Sequence, residues 1–354
     1  MGELTTTFLS DGAQPAAATA EALAAWIGAA ATSLDVAIYD FDAKEGASAR
    51  IADALEAALR RGVAVRVVFN TERTDDAGAA RPMHADPATI EALDVPTRGV
   101  ADEGALMHHK YVVRDGRDVW TGSTNWTDDA FTREENVLLE LAGVPDIAAA
   151  YTENFEHLWA HGHLERSGAT GPEVQLDQGV RAQPLFSPAP PWLSLEAARM
   201  IAAADRRVRL CSPVVTSGAV LAVLAEHVGR EKLGFTGAFD ATQMEQVQRQ
   251  WADVPHNRWK IEVWRTIAPH LSGKISTPYE PGSVHDYMHA KILVVDDEVL
   301  TGSFNFSRNG EENAENVLHL VSEDLAVRFT GFVEAVSDRY RAGGAQAQAA
   351  PRTA

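Results

Sequence analysis

The stretch His108-His109-Lys110-Tyr111-Val112-Val113-Arg114-Asp115 returns later in the chain as His289-Ala290-Lys291-Ile292-Leu293-Val294-Val295-Asp296. Both copies read His-x-Lys-x-x-x-x-Asp. Each is followed by a Gly-Ser-x-Asn, Gly122-Ser123-Thr124-Asn125 and Gly302-Ser303-Phe304-Asn305. Ten residues after each asparagine stands a Glu-Asn pair, Glu135-Asn136 and Glu315-Asn316. Six polar residue types in one order, at nearly one spacing, twice, point to two half-sites that meet to build one phosphate-handling site.

The repetition extends outward from the motifs. Residues 110–113 and 291–295 read as strands, and residues 119–121 and 299–301 as the strands that return from tight turns at Asp115-Gly116 and Asp296-Asp297. Strand alternation puts His and Lys, two apart, on one face, within reach of one ligand. Upstream, a helix over 16–32 and a strand over 34–41 are matched by a helix over 195–205 and a strand over 207–215. A helix over 47–60 and a strand over 63–69 find counterparts at 218–231 and 260–264. Short strands at Phe8-Leu9-Ser10 and Leu185-Phe186-Ser187 open the halves. Strands alternating with helices predict an α/β fold of two similar lobes with mixed, mostly parallel sheets flanked by helices. The halves divide within 166–179, giving an N-terminal lobe over 1–172 and a C-terminal lobe over 173–341. Residues 342–354, rich in Ala, Gly and Gln, are expected to be a disordered tail. Residues 71–87 and 267–286 lack clear periodicity, and the second leads directly into a motif, where long loops serve as lids or specificity elements.

Composition narrows the partners. The 354 residues are 45% hydrophobic and 23% charged, an ordinary globular profile. Lys and Arg total 31 against 50 Asp and Glu, a net charge of −19. That opposes non-specific attraction to DNA or anionic membrane unless positive charge is concentrated in a cleft. Cys211 is the single cysteine, so no intrachain disulfide forms. Its apolar surroundings favour a core role. The N-terminus shows no basic region before an apolar core, and a cytoplasmic location is expected.

Phosphodiester cleavage needs a nucleophile, an acid for the leaving alkoxide and positive charge on the non-bridging oxygens. Two histidines fit the first two roles because imidazole titrates near neutrality. One attacks phosphorus as the neutral ring while the other donates a proton and later accepts one from water or an alcohol. Two lysines and two asparagines supply charge and hydrogen bonds to the phosphate oxygens. A carboxylate on each histidine's far nitrogen would fix tautomer and orientation, and Glu135 and Glu315 are the candidates.

On these residues the chain resembles the phospholipase D superfamily, whose signature is His-x-Lys-x4-Asp followed by Gly-Ser-x-Asn. Two complete copies make the match specific. The resemblance implies a bilobed pseudo-two-fold fold, one site between the lobes, a covalent phosphohistidine intermediate and no metal or other cofactor. It places catalysis on His108 and His289, Lys110 and Lys291, Asn125 and Asn305, with His108 as nucleophile and His289 as acid/base. It gives Asp115 and Asp296 a structural role in the motif turns, and leaves Ser123 and Ser303 either touching phosphate or satisfying the turn.

Neighbouring residues read more plainly. Only His108 has the Lys and Asp at motif spacing, so His109, on the opposite strand face, is structural or at the cleft edge. His285, four before His289, would make a metal cluster with His108 only against two lysines that repel a cation, so no metal site is expected. Glu134, Glu311 and Glu312 read as solvated charges, and Trp126 and Phe306 as core or cleft wall. The expected substrate is a phospholipid, cleaved at the head group by hydrolysis or transfer, with peripheral membrane contact and no obligate partner chain. The alternative is a nuclease, for which Arg60, Arg61, Arg66, Arg73 and Arg81 are the nearest basic cluster.

Overall fold

The computed structural model describes residues 2–71, 87–190, 192–229, 234–280 and 282–348, the last seven as backbone only. The loop expected over 71–87 and the arginines Arg73 and Arg81 lie almost wholly outside the described residues.

Two mixed sheets carry the two motifs. The first contains β1 (Glu3–Leu9), β2 (Ser33–Ile38), β3 (Ala64–Asn70), β4 (Thr97–Val100), β5 (Lys110–Arg114), β6 (Asp118–Gly122) and β7 (Asn136–Ala142) in the order β1-β7-β6-β5-β2-β3-β4. The second contains β8 (Val174–Gln175), β9 (Arg181–Ser187), β10 (Arg207–Ser212), β11 (Gly234–Asp240), β12 (Leu271–Lys274), β13 (Ile292–Val295), β14 (Glu298–Gly302) and β15 (Glu315–Val321) in the order β12-β11-β10-β13-β14-β15-β9-β8. The central run β7-β6-β5-β2-β3-β4 of one matches β15-β14-β13-β10-β11-β12 of the other, which is the expected internal repeat.

The α/β class with two similar lobes holds; the mostly parallel pairing does not. In the first sheet only β2–β3 and β3–β4 run parallel, and in the second only β10–β11 and β11–β12. The remaining ladders are antiparallel. The cause is local: each motif strand turns straight back through a hairpin, and a hairpin can only join antiparallel neighbours. Residues 260–264, expected as a strand, lie in the helix Arg258–Ile267, and the true counterpart of β3 is β11. The helix buries Trp264 and Ile267, three apart, a spacing that suits a helical face. Within 267–286, Leu271–Lys274 is an edge strand rather than loop. The final helix Glu323–Gln348 carries residues 342–348, so the tail expected from 342 is helical there, and 349–354 lie outside the described residues.

Strand alternation splits the core into three. Tyr111, Val113 and Leu139 of one sheet and Ile292, Val294 and Leu318 of the other face a shared interior, together with the helices Pro145–His161 and Glu323–Gln348. Val112 faces the opposite way, under the helices Ala16–Gly28 and Ala49–Arg60. Leu293 does the same under Leu193–Ala202 and Gly218–Val228. The shared interior joins the lobes: Phe8 stacks on Phe332 at 4.5 Å, and Tyr151 meets Phe186 edge-on at 4.9 Å. Cys211 is buried in this interior, where burial pushes its thiol well above the ordinary range.

Two polar devices lock the frame. Asp115 and Asp296 occupy the left-handed region, φ 55° and 52°, at the ends of the motif strands remote from the histidines. The Asp115 carboxylate accepts the backbone N–H groups of Ala31, Thr32 and Ser33, and Asp296 those of Asp205, Arg206 and Arg207. Each aspartate therefore ties its hairpin to the loop entering the neighbouring strand. These hydrogen bonds hold Asp115 down at about 2. Between the lobes, buried Lys274 lies 2.9 Å from Glu135 and 3.4 Å from Asp11.

Two stability predictions follow. Asp115→Ala is expected to cost about 1–3 kcal/mol in urea denaturation, because several backbone donors lose one acceptor. Its folded carboxyl lies below its unfolded value, so the contribution is present above the unfolded value and is lost as pH falls towards about 2. An acid-unfolding midpoint identical to wild type would contradict this. Lys274→Met should cost about 3–5 kcal/mol by leaving Glu135 buried without its counter-charge; Tm measurement checks it.

Candidate active site

The site lies where the two sheets present the leading ends of β5 and β13 to each other. The chain before β5 pairs with the chain before β15 through a parallel bridge, Met107 to Ala314. Its mate, Glu135 to Met288, pairs the chain before β7 with the chain before β13. In the first bridge His108 N–H donates to Ala314 O and Ala314 N–H to Leu106 O, both at 2.9 Å. Each half thus lends backbone to the other beside its histidine.

Those bridges cross-pair the side chains. His108 Nδ1 lies 2.8 Å from Glu315 Oε2, a buried contact between lobes. Glu315 also accepts the Ser303 hydroxyl and the Asn313 amide at 3.1 Å. A carboxylate at Nδ1 keeps the proton there and leaves Nε2 with its lone pair. Burial lowers the His108 imidazole to about 4 despite Glu315, so the ring is neutral at pH 7.

His289 is held differently. Its Nδ1 lies 3.1 Å from Asn136 Oδ1 and 3.3 Å from Glu134 Oε2, and Glu135 is not a partner. The expectation for Glu135 is corrected by register. Gly122 pairs with Leu138, whereas Gly302 pairs with Val317. Aligned on the Gly-Ser turns, Asn136 therefore matches Glu315 and Glu134 matches Asn313. The segment between the turn and the next strand is one residue shorter in the second copy, so the two Glu-Asn pairs, identical in sequence, are not equivalent in space. The two partners are instead the same residue types in reversed order: Asn136 Nδ2 donates to Glu134 at 3.0 Å, as Asn313 Nδ2 donates to Glu315. Glu135 turns away to Lys274 and the Tyr340 hydroxyl.

Both motif lysines are buried and donate to the carbonyl of their own histidine, Lys110 to His108 O at 2.8 Å and Lys291 to His289 O. Burial lowers Lys110 to about 7, and burial with repulsion from Lys110 lowers Lys291 well below the ordinary lysine value. Asn125 and Asn305, at equivalent places after the turns, each keep a buried Oδ1 without a hydrogen-bond partner. Ser123 donates to Asn136 Oδ1 at 2.6 Å, and Ser303 to Glu315, so both serines orient the groups that hold the histidines.

His109 is fully buried, 3.3 Å from Asn316 and beside Tyr111, which makes it structural rather than a cleft-edge residue. Trp126 and Phe306 are core residues. Glu134, expected in solvent, is 2% exposed, and Glu311 accepts the N–H of Ser194; Glu312 stays at the surface with Arg308. Sequence reasoning missed Tyr39, whose ring packs edge-on to His108 at 4.8 Å and under the Lys110 ammonium at 4.8 Å. Its only signal was a tyrosine at the end of the strand beside the motif. Of the arginines considered for a basic track, Arg60 pairs with Glu56, Arg61 with the Gly28 carbonyl, and Arg66 with Asp35 and Glu156.

Comparison with known proteins agrees with the two-lobed repeat. The family model described as cardiolipin synthase, PLD-like domain, matches residues 23–159 and 198–336, one segment per lobe. The mitochondrial cardiolipin hydrolase of Xenopus laevis is 37% identical over 128 residues, 36% of this chain and 54% of that protein. The chain thus spans about half the length of the curated relatives it matches. Among solved structures, phosphatidylserine synthase from Haemophilus influenzae Rd KW20 superposes with a TM-score of 0.66 at 12% identity, covering 94% of this chain and 86% of that one. Polyphosphate kinase from Porphyromonas gingivalis superposes at 0.56 and 13% identity, covering 94% and 50%; both likenesses are of fold alone. With both lobes matched and the two motifs facing across one site, the chain belongs to the PLD-like domain family of the phospholipase D superfamily.

Proposed function

We propose that the protein is a phosphodiesterase acting on a phospholipid head group through a covalent phosphohistidine on His108. The observation that carries this is the cross-paired geometry: each motif histidine is held at Nδ1 by side chains of the opposite lobe, leaving both Nε2 atoms for chemistry. His108 Nε2, neutral and steadied by Glu315, attacks phosphorus. The P–O bond to the leaving alcohol breaks, and that oxygen takes a proton from His289 Nε2. Water then gives a proton to His289 Nε2 while its oxygen attacks phosphorus, the P–N bond breaks and His108 is released. An alcohol in place of water gives transfer. Lys110, Lys291, Asn125 and Asn305 face the phosphate oxygens, where their charge and dipoles gain most as charge builds. No step in this sequence is routed through a metal or another cofactor.

The phospholipid reading is supported by the lipid-processing names of the family and of the Xenopus relative, and the net charge of −19 favours a zwitterionic head group over DNA. Among the described residues of the candidate basic track, Arg60, Arg61 and Arg66 are each engaged within the protein, which weighs against the nuclease alternative. No helix among the described residues is long and apolar enough to cross a membrane, and a cytoplasmic protein that meets lipid peripherally is the proposed setting.

Purified protein in EDTA should cleave phosphatidylcholine and cardiolipin vesicles in preference to single- or double-stranded DNA. His108→Ala and His289→Ala should each lower kcat by at least about 100-fold. Full activity in either variant, or DNA as the better substrate, would overturn the proposal. On an activated nitrophenyl diester the rate should persist down to about pH 4 and fall below it, as protonation removes the His108 lone pair. A loss centred near the free-imidazole value would contradict the role of burial.

A further inference from the structure

The proposed reaction leaves one proton unaccounted for. Burial, Lys291, Lys110, His108 and His285 all drive His289 towards the neutral ring, well below the ordinary imidazole value. A neutral imidazole with no further proton source is a poor acid for an alkoxide.

Resting on that reading, we propose that Glu134 is a positioning residue that stores the proton for the acid step and passes it through His289. Its carboxyl oxygen lies 3.3 Å from His289 Nδ1, is 2% exposed, and accepts the Asn136 amide at 3.0 Å. Burial pushes the Glu134 carboxyl up to about 8, against the pull of Lys291 and Lys274 and with the help of Asp40. Glu134 and His289 therefore share one proton between the carboxyl and Nδ1, where Asn136 Oδ1 also accepts it at 3.1 Å, and Nε2 keeps its own hydrogen. As the ester P–O bond breaks, the Nε2–H proton moves to the leaving oxygen and the shared proton settles on His289 Nδ1. The carboxylate left behind faces Lys291 and Lys274. Water later returns a proton to Nε2, Nδ1 returns its own to Glu134, and the cycle closes. The reversed order of Glu and Asn in the two halves gives this device to one histidine only. At His108 the equivalent position is Asn313, and the carboxylate sits directly on Nδ1 as a fixed acceptor.

The leaving group separates this role from a structural one. A nitrophenolate needs no proton to depart, whereas choline of phosphatidylcholine does. In the full chain, Glu134→Gln should slow the first turnover on short-chain phosphatidylcholine by about 100-fold and the nitrophenolate burst by less than about 3-fold. Glu315→Gln should slow both, and Glu134→Asp should restore part of the loss. On phosphatidylcholine, the wild-type first-turnover rate should fall as pH rises through about 8, and Glu134→Gln should lack that limb. Deprotonation of Lys110 affects both substrates alike and is subtracted by the comparison. Equal losses on both substrates, no loss on either, or persistence of the limb in Glu134→Gln would overturn the proposal while leaving the phosphodiesterase intact. Should wild type cleave neither diester, the function itself fails. The His289 ring titration, followed by nitrogen NMR, then decides the coupling alone: a midpoint displaced in Glu134→Gln supports it, and an unmoved midpoint overturns it.

Discussion

Everything at the site hangs on the reciprocal bridging of the halves, Met107 to Ala314 and Glu135 to Met288. Neither histidine finds its Nδ1 partner within its own lobe. The bridges bring β15 to the start of β5 and β7 to the start of β13, and only then does Glu315 reach His108 and Asn136 reach His289. The shared apolar interior holds the sheets at that separation, with Phe8 on Phe332 and Tyr151 against Phe186 acting across the seam. Chemistry and lobe association are thus one constraint.

Burial then sets the electrostatics. A chain with a net charge of −19 keeps two lysines, two histidines, Glu134 and Glu315 out of water in one small volume. Such a cluster is tolerable only where nearly every polar atom is paired, because an unmatched charge in low dielectric is costly. Lys110 and Lys291 meet this by donating to histidine carbonyls, and Glu135 by meeting Lys274 and Tyr340. Desolvation leads every histidine and lysine shift at the site, so these buried groups are tuned less by their neighbours than by the absence of solvent.

Much of this was legible in the sequence. The duplicated motifs gave the lobes, the hairpins, the facing of His and Lys, and the turning of His109 to the opposite strand face, because two-residue alternation is strict on a strand. Asp115 and Asp296 were legible as turn residues. What failed was counting. Glu135 and Glu315 stand at identical spacing from Asn125 and Asn305, yet a loop one residue shorter in the second half moves the ladder under them, which only the pairing of Gly122 with Leu138 and of Gly302 with Val317 exposes. Glu134 was misread for the same reason: a charged residue beside another charged residue carries no mark of burial. Residues 260–264 failed because a short mixed apolar run fits either period, and the packing against its neighbours chose helix.

The one-residue difference between the copies has an architectural consequence. A dimer of identical subunits, joined on a true two-fold axis, must give its paired imidazoles the same surroundings, so any change that improves one for attack is imposed on the other. Covalent fusion removes that bond between them. Here a one-residue difference in loop length reverses which side chain each ring meets, and the two groups become free to specialise at one site.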